Sequence, residues 1–169
     1  SGSAVRVALQ AGVRCIEHGT LIDAVAGKEI KKAGAYLVPT MVTYEAIARE
    51  GKSYGITEHQ IQKINMAREK SVEGLTHAYR AGCKIGSGSD LLGDMQAQRT
   101  VELELKGQVM KPMEVLLSAT RVNAEIFRME DQIGTVEPGK NADLIVVKGN
   151  PLKDLRVFQN QDNLHLIMK

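Results

Sequence analysis

Apolar and polar positions along this chain switch repeatedly between a helical and a strand period, and the switches mark its elements. Residues 4–10 read as a helix with Ser3 as a candidate cap, followed by a short apolar strand at 14–17. A helix is expected over 20–32, with Leu21, Ile22, Val25 and Ile30 as its apolar side. A second strand is expected over 36–43, then a polar loop containing Gly51 and Gly55. Thr57-Glu-His-Gln60 fits a capping box, since Gln60 lies three residues after the cap, and it opens a long helix reaching Ala81. A third strand follows at 84–87, then helices at 97–105, from Pro112 to about Ala119, and at 122–127. Beyond that the period shortens. Residues 133–139 read as a strand with a Pro-Gly turn, and 142–147 as a strand stopped by Asn150-Pro151.

This pattern divides the chain into an α/β region, residues 1–130, and a small β layer, residues 131–169. Strands separated by long helical crossovers pair in parallel. Three such strands cannot close a β/α barrel, which takes eight strands and about 250 residues. The chain therefore reads as the later portion of something larger.

Within the α/β region the same unit recurs three times: a helix ends in Ala-Gly and a short apolar strand follows. The copies begin at Ala11-Gly12, Ala33-Gly34 and Ala81-Gly82, each with a glycine suited to a left-handed helix cap. Each ends in a polar residue at an even offset from its glycine: His18 and Thr40 at six, Asp90 at eight. Residues two apart on a strand share a face. Aligned strands would bring His18, Thr40 and Asp90 together at their C-terminal ends, where parallel α/β folds place active sites.

Composition narrows the chemistry. The chain has 169 residues, is 43% hydrophobic and carries a net charge of +2, which suits a well-cored domain and argues against nucleic-acid binding. Four tyrosines, two phenylalanines and no tryptophan leave little material for base stacking. No apolar run approaches 18 residues, so no membrane span is expected, and no signal peptide is visible at the N-terminus. Cys15 and Cys83 read as buried free thiols in a reducing, cytoplasmic compartment.

At the strand ends, His18 in Ile16-Glu-His-Gly-Thr20 can ligate a divalent metal or act as an acid or base; it can equally be a histidine satisfied by backbone. Asp90 in Gly86-Ser-Gly-Ser-Asp90 can hold a metal and take a proton from water, or cap a helix. The glycines there do not make a nucleotide loop, because position 91 is Leu. Tyr44 and Thr40 are candidates for substrate contact. His77 is expected to be solvated or locally bonded, and His59 and His165 to be incidental. Asp143, in the run from Gly134 to Val147, is expected to satisfy backbone amides.

Three pieces in this order, Ile16-Glu-His-Gly19, Gly86-Ser-Gly-Ser-Asp90 and Gly134 to Val147 with Asn150-Pro151, closely resemble the amidohydrolase superfamily. Val38-Pro-Thr-Met-Val-Thr-Tyr-Glu45 and Asp90-Leu-Leu-Gly93 point to its imidazolonepropionase-like and prolidase-like branch, with its dipeptidases and carboxypeptidases. The resemblance implies strands six to eight of a metal-dependent (β/α)8 (TIM) barrel plus a portion of a composite β-sandwich. It implies a divalent metal site, two zinc ions in the full-length enzyme. His18 would ligate the more exposed ion; Asp90 would bind the more buried one and serve as general base. The family's His-x-His pair, bridging carboxylated lysine and strand-five histidine have no counterpart here. The chain by itself is thus expected to be inactive, its remaining ligands lying upstream or on another chain. The implied activity is hydrolysis of a peptide-like C–N bond in a small substrate, with a cyclic amide as the alternative. A non-catalytic half-barrel that recruits a partner through its open sheet edge is the rival outside enzymology. Homo-oligomerisation is compatible with either.

Overall fold

The computed structural model describes residues 2–169 and has a mixed α/β architecture. Its first sheet is built from β1 (Cys15–Glu17), β2 (Tyr36–Val38) and β3 (Lys84–Ile85), all parallel and in chain order. Cys15, Ile16 and Glu17 pair with Tyr36, Leu37 and Val38; Tyr36 and Leu37 pair in turn with Lys84 and Ile85. Each strand is preceded by a helix: α1 (Gly2–Gln10), α2 (Ala24–Ala33) and α4 (Glu58–Arg80). Gly12, Gly34 and Gly82, which separate helix from strand, all have positive φ, so the recurring Ala-Gly is a left-handed stop. α1 starts at Gly2, placing Ser3 inside its first turn rather than at its cap.

Helices cover the sheet and close the main core. Ile22, Ala26 and Ile30 from the α2 region, Leu75 and Ala78 from α4, and Leu37 and Ile85 from the sheet are all buried together. Each large aliphatic side chain placed there contributes about 1.5–3 kcal/mol. The helix expected over 20–32 starts later, because the Asp23 side chain accepts from Ala26 N at 2.7 Å and sets the cap there. Leu21 and Val25 consequently lie exposed rather than on the buried side. The Thr57 capping box forms as expected, with Thr57 N donating to Gln60 Oε1 at 2.9 Å.

The largest departure from the sequence pattern follows β2. The strand stops at Val38 instead of reaching residue 43, and α3 (Met41–Glu50) begins at once. Pro39 cannot donate to a ladder, and Thr40 turns left-handed with φ 49°. The 3₁₀ turn Gly51–Tyr54 then leads to α4. After Asp90 a 3₁₀ segment (Gly93–Gln98) precedes α5 (Val101–Gly107), α6 (Pro112–Ala119) and α7 (Arg121–Phe127).

In the last forty residues, β4 (Leu144–Val147) pairs antiparallel with β5 (Leu164–Met168). The strand expected over 133–139 is absent; that segment is a series of turns, tied by Asn141 N to Gln132 O at 2.8 Å and by Lys140 Nζ to Thr135 Oγ1 at 2.6 Å. Asp143 is exposed and accepts no backbone bond among the described residues, contrary to expectation. No described helix is long and apolar enough to cross a membrane.

Candidate active site

Three of the four non-glycine residues with positive φ among the described residues are His18 (68°), Thr40 (49°) and Asp90 (52°). These are the polar residues expected to converge at the strand ends. A left-handed conformation costs an L-residue on the order of 1–2 kcal/mol, and such outliers gather at functional sites. The shared conformation turns the chain one residue past β1 at His18, two past β2 at Thr40 and five past β3 at Asp90. His18 lies one residue past the last β1 pair, its N–H donating to Val38 O at 2.8 Å.

The first turn of α3 connects these strand ends. Thr40 is buried, and its Oγ1 lies 2.7 Å from His18 Nδ1. Tyr44 Oη lies 2.7 Å from Thr20 Oγ1, two residues beyond His18. Thr43 Oγ1 donates to Ser89 O, the residue before Asp90. The hydroxyls of Thr40 and Tyr44, expected to face substrate, are thus engaged with the loop that follows β1. Thr43, which the pattern placed in a strand, is the member that sequence reading did not single out.

The Asp90 loop is held chiefly by side chains. β3 has only two ladder residues, and Gly86 N adds one more bond to Leu37 O at 2.8 Å. From there Asn123 of α7 takes over: its Oδ1 accepts from Ser87 N at 2.9 Å and its Nδ2 donates to Ser87 O at 2.8 Å. This two-point clamp imitates a neighbouring strand. Close packing requires small residues beside it. A Cβ on Gly86 would fall 2.6 Å from Ile126 Cδ1, and one on Gly88 2.8 Å from Val38 Cγ1. The only hint of the clamp in the sequence is a polar residue on the otherwise apolar turn Val122-Asn123-Ala124.

Two charged side chains are buried behind the site, both on α5. Glu102 Oε2 accepts from Val42 N at 2.8 Å, at the start of α3. Lys106 Nζ donates to Gly86 O at 3.2 Å and to Ser118 Oγ at 2.5 Å. Burial pushes the Glu102 carboxyl up and the Lys106 ammonium down, each opposed by the charge of the other. Sequence offered no signal for them, because Glu and Lys four apart on a helix ordinarily make an exposed pair.

His18 and Asp90 are exposed, with open faces at the same end of the sheet. The Thr40 contact engages His18 Nδ1 and leaves Nε2 open, the usual state of a metal-ligating imidazole. An imidazole and a carboxylate suit a divalent cation such as zinc. Among the described residues no group of three or more His, Cys, Asp or Glu side chains is gathered to hold one. His77 contacts Glu73 at 3.7 Å within its own helix, while His59 and His165 are exposed. Cys15 and Cys83 are free thiols, the first half-buried and the second buried.

A parallel α/β sheet carrying a strained His and Asp at its C-terminal strand ends defines an α/β protein with a strand-end polar site. The family model described as the amidohydrolase family matches residues 2–169, and the chain belongs to that family. It is similar to a crystal structure of a prolidase complexed with N-methylphosphonate-L-proline, with 42% identity and a TM-score of 0.89 over 95% of this chain and 39% of the other. A crystal structure of a Xaa-Pro dipeptidase with bound methionine is 32% identical, with a TM-score of 0.85 over 99% of this chain and 43% of the other. Among curated proteins, an ochratoxinase of Aspergillus niger is 25% identical over 158 residues, 92% of this chain. The chain spans 32% of the length of that relative.

Proposed function

We propose that this chain is the C-terminal portion of a metal-dependent amidohydrolase that cleaves a peptide-like C–N bond, in the manner of a dipeptidase or carboxypeptidase. The observation that carries the reading is the left-handed turn shared by His18, Thr40 and Asp90, joined through the first turn of α3. The likeness to a prolidase and a Xaa-Pro dipeptidase supports a small peptide-like substrate. The sequential parallel order β1-β2-β3 supports strands six to eight of a (β/α)8 barrel. The β4–β5 pair supports a portion of a β-sandwich.

In this reading His18 would hold a divalent metal through the nitrogen that Thr40 leaves open, while Thr40 fixes the ring by accepting from Nδ1–H. Asp90 is the second ligand from this chain. A divalent metal held by His18 and Asp90, zinc and one of two in this reading, would supply Lewis acidity toward the scissile carbonyl and acidify water. Asp90 takes the proton from the attacking water on its carboxylate and delivers it to the departing nitrogen, so that amide and water become carboxylate and amine. Thr43 holds Ser89 O and Asn123 holds Ser87, which keeps Asp90 from drifting during that transfer.

Full-length protein assayed on Xaa-Pro dipeptides and N-acyl amino acids tests the proposal. Turnover that is lost on chelation and restored by zinc is expected. Metal-replete protein that hydrolyses no amide in such a panel would overturn it.

A further inference from the structure

α3 begins without a cap of its own. Thr40 stands at the N-cap position and is a residue type suited to it, yet its side chain makes no capping bond. Its backbone is left-handed and its hydroxyl faces His18 Nδ1 instead. The amides that Thr40 leaves open are served from another helix, by the buried carboxylate of Glu102 on Val42 N. One helical turn further along α5, the buried ammonium of Lys106 donates to Gly86 O, four residues before Asp90. Neither contact reaches the exposed face of the site. Glu102 instead fixes the start of α3 beside Thr40, the partner of His18, and Lys106 fixes Gly86 on the segment leading to Asp90.

We propose that Glu102 and Lys106 are positioning residues for this site: Glu102 caps α3 in place of Thr40 and so frees the Thr40 hydroxyl to orient His18, while Lys106 anchors the strand end that carries Asp90. This inference rests on the metal-site reading of His18 and Asp90. Without Glu102, the amides of α3 fall to the residue at its N-cap position, Thr40, and turning its hydroxyl to them breaks the contact with His18. Without Lys106, Gly86 O loses a charged donor where β3 has already run out of ladder. A pair serving stability alone could be exchanged for apolar side chains of similar volume with little harm, since buried charges are weak contributors to net stability. A positioning pair could not.

The decisive variant in the full-length protein is therefore the double substitution Glu102→Leu/Lys106→Met, which leaves no buried charge uncompensated. It is expected to keep its melting temperature but to bind zinc about tenfold more weakly. kcat should fall while KM changes little, and amide exchange should speed up at residues 41–44 and 86–90 alone. Glu102→Gln keeps an acceptor for Val42 N and should retain near-normal zinc affinity. If the double variant fails to fold, Glu102→Gln/Lys106→Met decides, since it keeps an acceptor for Val42 N and leaves no buried charge: exchange should rise at 86–90 and not at 41–44. Wild-type zinc affinity and wild-type exchange in these two segments, or faster exchange spread evenly over the protein, would overturn the positioning role while leaving the hydrolase reading intact. A wild-type protein that binds no divalent metal would overturn both.

Discussion

Thr40 Oγ1 sits 2.7 Å from His18 Nδ1, joining the end of the second strand to the end of the first. The contact is between residues 22 apart in sequence, and both are held in left-handed backbone conformations. A threonine hydroxyl that would ordinarily cap α3 is used to fix an imidazole. The arrangement gives His18 a defined ring orientation and leaves Nε2 unengaged. It also makes Thr40, which is buried, act on the site through His18.

Thr40→Val keeps the branched shape and removes the hydroxyl. In the full-length protein it is expected to weaken metal binding by about 10–100-fold, the usual scale for loss of a partner behind a ligand. His18→Ala should lower metal content further still. Titration with a chelator of known affinity measures both, and unaltered metal binding in Thr40→Val would show that His18 needs no such partner.

Asp90→Asn retains size and loses both the charge that holds a metal and the basicity that accepts a proton. Turnover is expected to fall by ~10²–10⁴-fold, with the circular dichroism spectrum unchanged. Near-normal rates at full metal occupancy would reduce Asp90 to a turn residue.

Much of this was legible in the chain. The Ala-Gly stops and the parallel strands follow from local rules, because a left-handed glycine acts over a few residues; the two-residue side-chain period does not carry to His18, Thr40 and Asp90, which lie past the strands in left-handed turns, Asp90 five residues beyond Ile85. α3 was not legible. Met41-Val42-Thr43 reads as strand by its β-branched residues, and the helix depends on a cap from Glu102, 60 residues away. The clamp of Asn123 on Ser87 spans 36 residues and was hidden for the same reason. Strand β5 lies in a segment with no clean alternation, and it becomes a strand by pairing with β4. Leu21 and Val25 fall outside the apolar face because Asp23 delays the helix by several residues.

The Cys15 thiol is pushed up to about 12, first by burial, then by its hydrogen bond to Glu17 and by the charge of that carboxylate. The neutral thiol is thus the form held across the whole neutral range, and the thiolate appears only in strong alkali. Alkylation of Cys15 at pH 8 is expected to run roughly 100-fold or more slower than that of a free cysteine, whose pKa is about 8.5. Glu17→Gln should recover some of the rate. Mass spectrometric quantitation of modified Cys15 provides the measurement, and rapid labelling of wild-type protein would contradict the assignment.

The 169-residue chain by itself should associate in solution and hydrolyse nothing, even with added zinc. Ile145, Val146, Leu166 and Ile167 are 46–68% exposed on the β4–β5 pair, and Leu21 and Val25 more than half exposed beside the sheet. Apolar surface on this scale is covered in a stable protein. Sedimentation showing a monomer at high concentration, or steady dipeptide turnover by the pure chain, would contradict these expectations in turn.

The backbone at Asp90 offers a test that needs no catalysis. Its φ of 52° is one that a Cβ disfavours and glycine adopts freely. Along an ordinary strand or helix, replacing a residue by Gly is less favourable than replacing it by Ala. At position 90 the order should reverse, with Asp90→Gly more stable than Asp90→Ala by about 1 kcal/mol. Both variants lose the carboxylate, so the difference between them isolates the backbone from the charge. Urea midpoints at equal slope measure it in the full-length protein. Asp90→Ala equal to or above Asp90→Gly would mean that the turn is not strained, and that the strand ends owe their convergence to side-chain contacts alone.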